Sequence, residues 1–203
     1  MPPKPKFTRE EVVEVALKLV SEKGMESLTA RELGERLGSS ARPIFTAFRN
    51  MEELTDAVRA AAMRKYDTYV GTALDYTPAF KRFGMQMVLF AAEEPNLFRL
   101  LFMRNNREQA NLSTLKTLLG PTRLLCLDAI AKDYQMSEKE AAAFFEHMWI
   151  FTYGLAVLCA TGMCQFSEEE LCTILGRQFM GAIGLMKSGR WDSRTPHPEI
   201  QNR

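Results

Sequence analysis

The sequence is poor in the residues that most enzyme chemistry needs. It has two histidines, one of them, His197, in the last seven residues, and no paired carboxylates, phosphate loop or activated-nucleophile spacing stands out. Glu146 beside His147 does not repair this, because adjacent helical residues face different ways. These absences argue against an enzyme and against a bound cofactor or metal. The four cysteines, Cys126, Cys159, Cys164 and Cys172, all lie in apolar stretches of the second half and match no zinc-ligand spacing. They read as reduced, buried thiols, with a thiol switch as the alternative. No uninterrupted apolar run reaches the roughly 20 residues that span a bilayer, and the first residues lack the apolar core of a secretion signal. A cytoplasmic location with no membrane partner is expected. Strand-like alternation, internal repeats and low-complexity segments are also missing.

Net charge is scarce too, at +1, which excludes a uniformly basic nucleic-acid coat but not a local basic head. Residues 1–65 hold 12 Lys/Arg against 10 Asp/Glu, and most of that surplus is in an N-terminal arm at Lys4, Lys6 and Arg9.

What the chain does have is apolar residues, 46% of 203, enough for a buried core. It also has repeated helix starts. Thr8 with Glu11, Thr29 with Glu32, Asn50 with Glu53, Ser137 with Glu140 and Ser167 with Glu170 each place a capping side chain three residues before an acid. Phe7 before the first cap and Val12 after it have the spacing of a hydrophobic staple. The fold class expected is therefore all-α.

Helices are predicted at about 8–23, 30–37, 41–48 and from Asn50 towards Tyr69, then at about 78–93, 95–105, 110–134, 138–162 and 168–188. Glu94-Pro95 and Gly120-Pro121 interrupt the helical pattern. The domains expected are a helix-turn-helix unit at 1–50 with a basic arm, a long fourth helix leading into a helical bundle at 51–188, and a flexible tail at 189–203.

The turn Gly38-Ser39-Ser40 joins the second and third helices, with Ser40 as the expected cap and Pro43 tolerated in the first turn. Such a pair of short helices backed by a first one presents a helix to the DNA major groove. On the third helix Ile44 and Phe48 are four apart and anchor the inner side, leaving Arg42, Phe45, Thr46 and Arg49 outward, with Ala41 and Pro43 beside them. An outward Arg suits guanine or phosphate. Thr29 and Arg31 open the second helix, where a helix N-terminus can hold a phosphate, and Lys4 and Lys6 offer further phosphate contacts.

At these residues the sequence resembles the TetR (tetracycline-repressor) family of transcriptional regulators. The match spans residues 8 to about 64, through Ser21-Glu22-Lys23-Gly24, then Leu28-Thr29-Ala30-Arg31-Glu32-Leu33-Gly34-Glu35-Arg36-Leu37-Gly38, then Ile44-Phe45-Thr46-Ala47-Phe48 and Met51-Glu52-Glu53-Leu54. The resemblance implies nine or ten helices, a two-fold dimer on an inverted-repeat double-stranded DNA operator and an effector-binding C-terminal domain. Two positions depart from it. Phe45 stands where the family usually has a phosphate-contacting Tyr, and Met51 where it usually has a phosphate-binding Lys. These departures leave open a helical partner-binding scaffold that has lost DNA binding.

The second half is rich in aromatic and Met side chains, which adapt around apolar ligands or simply fill a core. A small apolar effector is expected among Met87, Phe90, Phe98, Phe102, Trp149 and Tyr153, with His147 as a polar contact. Gly154, Ala156, Ala160, Gly176, Gly181, Ala182 and Gly184 on the last two helices permit close helix approach. By resemblance those helices form the homodimer interface.

Overall fold

The computed structural model describes residues 6–103 and 119–191, and among them all regular structure is helical. Nine α-helices follow in order: α1 Arg9–Lys23, α2 Ala30–Arg36, α3 Arg42–Ala47, α4 Met51–Gly71, α5 Ala79–Glu93, α6 Pro95–Phe102, α7 Gly120–Tyr134, α8 Glu138–Ala160 and α9 Glu168–Lys187. Short 3-10 turns occupy Met25–Ser27 and Thr72–Asp75.

The capping pairs start the helices that the sequence assigns them. Thr8, Thr29, Asn50, Ser137 and Ser167 each sit in extended geometry and accept the amide of the acid three residues on. The box is reciprocal at α1, α8 and α9, where Glu11, Glu140 and Glu170 also accept the cap's own amide. At α2 and α4 the acid is drawn elsewhere. Glu32 takes the Lys23 ammonium at 2.5 Å, and Glu53 takes the Arg49 amide at 2.8 Å.

Two expectations are corrected. Ser40 does not cap α3: the cap position falls on Ala41, already in helical geometry, so no extended side chain reaches back to the first amides. The helix expected over 110–134 begins, within the described residues, at Gly120 with Pro121 in its first turn, so this pair starts a helix rather than interrupting one. Residues 104–118 and 192–203 lie outside the described residues, as does Lys4.

The three-helix head closes on Val12, Ala16, Leu19 and Val20 of α1, Leu33 of α2, and Ile44 with Phe48 at α3, all buried. Helix α4 is about 31 Å long at 1.5 Å per residue and serves two cores. Leu54 and Val58 face the head, while Tyr66 and Val70 belong to the C-terminal bundle. Within that bundle α5 is central, packed against α4, α6, α7, α8 and α9. Helix α8 is long and apolar enough to cross a membrane by length and composition, but here it packs against α5, α6, α7 and α9 as a core helix.

Short α6 ties the parts together at both ends. At its start, Glu94 accepts from Ser21 Oγ of α1 and from Lys65 Nζ of α4, each at 2.5 Å, and Asn96 Nδ2 donates to the Ser21 carbonyl at 2.9 Å. At its far end the Tyr153 hydroxyl of α8 donates to the Phe102 carbonyl at 2.9 Å, and Arg99 donates to the Ala160 carbonyl. Beyond α9, Trp191 lies edge-on to His147 at 5.1 Å.

Gly34 is required by close approach. A Cβ there would stand 3.1 to 3.2 Å from Ala41 N, Ser40 C and Ser39 O, all backbone atoms of the turn that launches α3. Backbone cannot yield as a flexible side chain does, so Gly34→Ala is expected to cost about 1–3 kcal/mol by overpacking. Chemical denaturation measures this, and an unchanged midpoint would show that the turn relaxes freely. Gly38 differs, having φ +60 with open space around it, so it answers to conformation and not to crowding.

Candidate functional sites

The outward face of α3 is set by its buried side. Ile44 and Phe48 are sunk in the core, which turns Arg42, Phe45, Thr46 and Arg49 to solvent, with Phe45 48% exposed. Pro43 occupies the first turn and Ala41 the cap. The Thr46 hydroxyl donates back to the Arg42 carbonyl at 3.3 Å. Neither Arg42 nor Arg49 makes an ion pair among the described residues.

Arg9 has a different place from the one its position in a basic arm suggests. Its guanidinium lies over the Phe48 ring at 4.1 Å, donates to the Ala47 carbonyl at 3.0 Å and pairs with Glu53 at 2.8 Å. It therefore clamps the end of α3 to the start of α4. The Arg49 amide, and after it Arg9, hold the Glu53 carboxyl below the usual carboxylate range.

Lys6 reaches across to the Ser39 hydroxyl at 3.1 Å, bringing the arm beside the turn before α3. Thr29 is exposed at the start of α2, where its hydroxyl accepts the Glu32 amide at 3.2 Å, and exposed Arg31 pairs with Glu35 at 3.1 Å. That surface pair contributes little to stability. Ser40 is exposed, whereas Met51 turns inward and is packed against the core.

In the C-terminal half, a cavity of about 40 Å³ opens between α4, α5, α7 and α8. Tyr66, Phe80, Phe83, Met87, Phe145, Met148, Trp149 and Thr152 form much of its wall, with Leu119, Thr122, Arg123 and Cys126 at the α7 side. Burial pushes the Cys126 thiol far above its ordinary range, which keeps it a neutral wall group.

Of the seven expected ligand residues, Met87 and Trp149 line this cavity. Phe90, Phe98 and Phe102 are core residues, clustered with Tyr66 through Tyr66–Phe90 at 5.2 Å, Tyr66–Phe102 at 5.0 Å and Phe98–Phe102 at 5.0 Å. Tyr153 is one step behind the wall, stacked on Trp149 at 5.2 Å. His147 is turned to the outer surface, its Nε2 2.8 Å from Gln178 Nε2. Helical register accounts for the difference. Phe145, Met148, Trp149 and Thr152 share one stripe at spacings of three and four, and position 147 falls off it. Reading that stripe together with Phe80, Phe83 and Met87 would have found most of the wall from sequence.

A third feature is the outer surface of α8 and α9. Ala156, Ala160 and Ala182 are buried within the subunit, and a Cβ at Gly176 would stand 3.4 Å from Lys81 Nζ. Gly154, Gly181 and Gly184 instead have open space where a Cβ would stand, beside exposed Ile150, Met180 and Leu185.

Among the described residues the fold is all-α, a helix-turn-helix head on a helical bundle. Residues 12–58 match the family model described as bacterial regulatory proteins, tetR family. The head of the chain is that of the tetR family, as the sequence resemblance implies. Over 58 residues it is 41% identical to the tetracycline repressor protein class C of Escherichia coli, a stretch covering 29% of this chain and 26% of that protein. The chain thus spans about a quarter of the length of this curated relative. The fold of a TetR family protein from Vibrio parahaemolyticus superimposes with a TM-score of 0.56 at 16% identity, covering 85% of this chain and 97% of that one. At that identity the likeness is one of fold.

Proposed function

We propose that this protein is a sequence-specific DNA-binding transcriptional repressor that acts as a homodimer on an inverted-repeat operator and is released by a small apolar ligand. The observation that carries the reading is the face of α3: two cations without ion pairs among the described residues, an exposed aromatic ring and an exposed Thr, all mounted on buried Ile44 and Phe48. Arg42 and Arg49 suit guanine edges or phosphates, and Phe45 with Thr46 suits thymine methyl groups. Lys6, Arg31 and Thr29 flank that face and suit phosphates, which fix position and carry no sequence information.

Loss of the Tyr hydroxyl and the Lys at positions 45 and 51 removes two phosphate contacts of the family pattern, and the Arg49 side chain and the arm compensate. The exposed small and apolar residues of α8 and α9 support a two-fold helical interface there.

Enrichment of a random duplex pool on the protein, followed by anisotropy titration of the winning sequence, tests the reading. Arg42→Ala is expected to lower affinity by about 1–3 kcal/mol and to relax preference at one base position of each half-site. Affinity should also fall steeply with salt, through counterion release at Lys6, Arg31 and Arg49. A pool that yields no inverted repeat, or binding indifferent to salt, would leave the chain a partner-binding scaffold.

A further inference from the structure

The polar groups at the wall of the α4, α5, α7 and α8 cavity are unevenly matched. The hydroxyl protons of Thr122 and Thr152 are committed, to Asp67 Oδ1 at 2.7 Å and to the Met148 carbonyl at 2.8 Å. Two other wall residues carry donors with nothing to receive them. Arg123 Nε and Trp149 Nε1 are both buried and both lack a hydrogen-bond partner. Arg123 makes no ion pair among the described residues, and its guanidinium carbon lies 6.0 Å from the centre of the Phe145 ring. It also sits in the first turn of α7, at the positive end of the helix dipole. A buried N–H without an acceptor is costly, and native proteins seldom keep one without a use.

We propose that the ligand of this cavity is a small apolar acid whose carboxylate accepts from Arg123 and Trp149 while its body packs among Phe80, Phe83, Met87 and Met148. The assignment rests on the effector reading above and names the chemistry of that effector. A carboxylate at neutral pH brings acceptors alone, which is what the two donors lack. An alcohol brings a proton of its own as well, and an amine sets a second cation beside Arg123. The cavity has room for about three waters, so the body must displace the flexible Met87 and Met148 chains on entering. It then presses on Tyr66 and Val70 of α4, the helix that begins at the DNA-reading head.

Three probes with one aromatic body and different heads test the proposal: phenylacetate, 2-phenylethanol and 2-phenylethylamine. Calorimetric titration of the full chain should find phenylacetate bound at least about tenfold more tightly than the other two, as a charge-assisted hydrogen bond requires. Arg123→Met should bring phenylacetate down to the level of the alcohol and leave the alcohol unchanged, while Arg123→Lys keeps most of the preference. Where a melting curve shows that Arg123→Met has lost its fold, Trp149→Phe replaces it, with a loss of several-fold expected for the acid alone. Equal or tighter binding of the alcohol or the amine, binding of none of the three, or a preference that survives removal of the donor overturns the assignment.

Operator affinity measured alongside separates the two readings. Phenylacetate bound without operator release defeats the effector reading and leaves the head-group assignment standing. Release by the alcohol as effectively as by the acid does the reverse.

Discussion

Gly181→Glu is expected to leave the protein monomeric and to lower operator affinity by about 10² to 10⁴-fold, the range that tethering two reading heads contributes. The substitution is chosen because the subunit itself has no objection to it. Gly181 is exposed on α9, and a Cβ there meets nothing within 4 Å. Glu is a better helix former than Gly, so an isolated subunit should be at least as stable with it. Whatever the change breaks must therefore lie outside the subunit. A carboxylate pressed into a helix-to-helix contact beside Met180 and Leu185 would be buried without a partner, and such a charge is strongly destabilising. Sedimentation velocity reads the oligomeric state and anisotropy the affinity. A wild-type monomer, or a variant dimer as tight as the parent, would place the interface elsewhere or remove it.

Phe48→Ala is the second large effect, and it acts through stability. The ring is 2% exposed and covered by the Arg9 guanidinium at 4.1 Å. Removing it should cost about 3–5 kcal/mol in lost burial and residual cavity. Against a typical stability of about 5–15 kcal/mol, that is enough to unfold much of the head near physiological temperature. Operator binding should vanish with it, since α3 loses its inner anchor and the Arg9 clamp loses its seat. Phe45→Ala, at the exposed neighbour, is the control. It should move the urea midpoint by no more than about 0.5 kcal/mol equivalent, as surface changes do, while altering DNA affinity. A Phe48→Ala protein with the parent's midpoint would mean that the head is held together by other contacts.

How far the chain could be read beforehand follows from the range of the interactions involved. Helix starts were legible because a cap and its acid are three residues apart, so Thr8 with Glu11 and Ser167 with Glu170 carry their own geometry. The outward face of α3 was legible for the same reason, since Ile44 and Phe48 fix it by spacing alone.

Interactions between distant residues were not legible. Lys23 claims Glu32 from its cap, and Arg9 leaves the arm to join residues 38 and 44 positions away. The cavity wall fell between these cases. Its aromatic stripe on α8 is periodic, but which of Phe90, Phe98 and Phe102 would face a void and which would fill the core depends on how α4 and α6 lean on α5. His147 lies off that stripe, on the outer surface beside Gln178, so register and not residue type decides what meets the cavity.

The eight residues of α6 amount to a rod about 12 Å long with a joint at each end. One joint is the carboxylate of Glu94, shared between Ser21 and Lys65, and the other is the Phe102 carbonyl held by Tyr153. A rod this short cannot bend to absorb a displacement, so it converts a push on one joint into travel at the other. Tyr153 is stacked on Trp149, and Trp149 borders the cavity. Trp149, Tyr153, α6 and the last turn of α1 thus form one unbroken run of contacts from the cavity wall to the head.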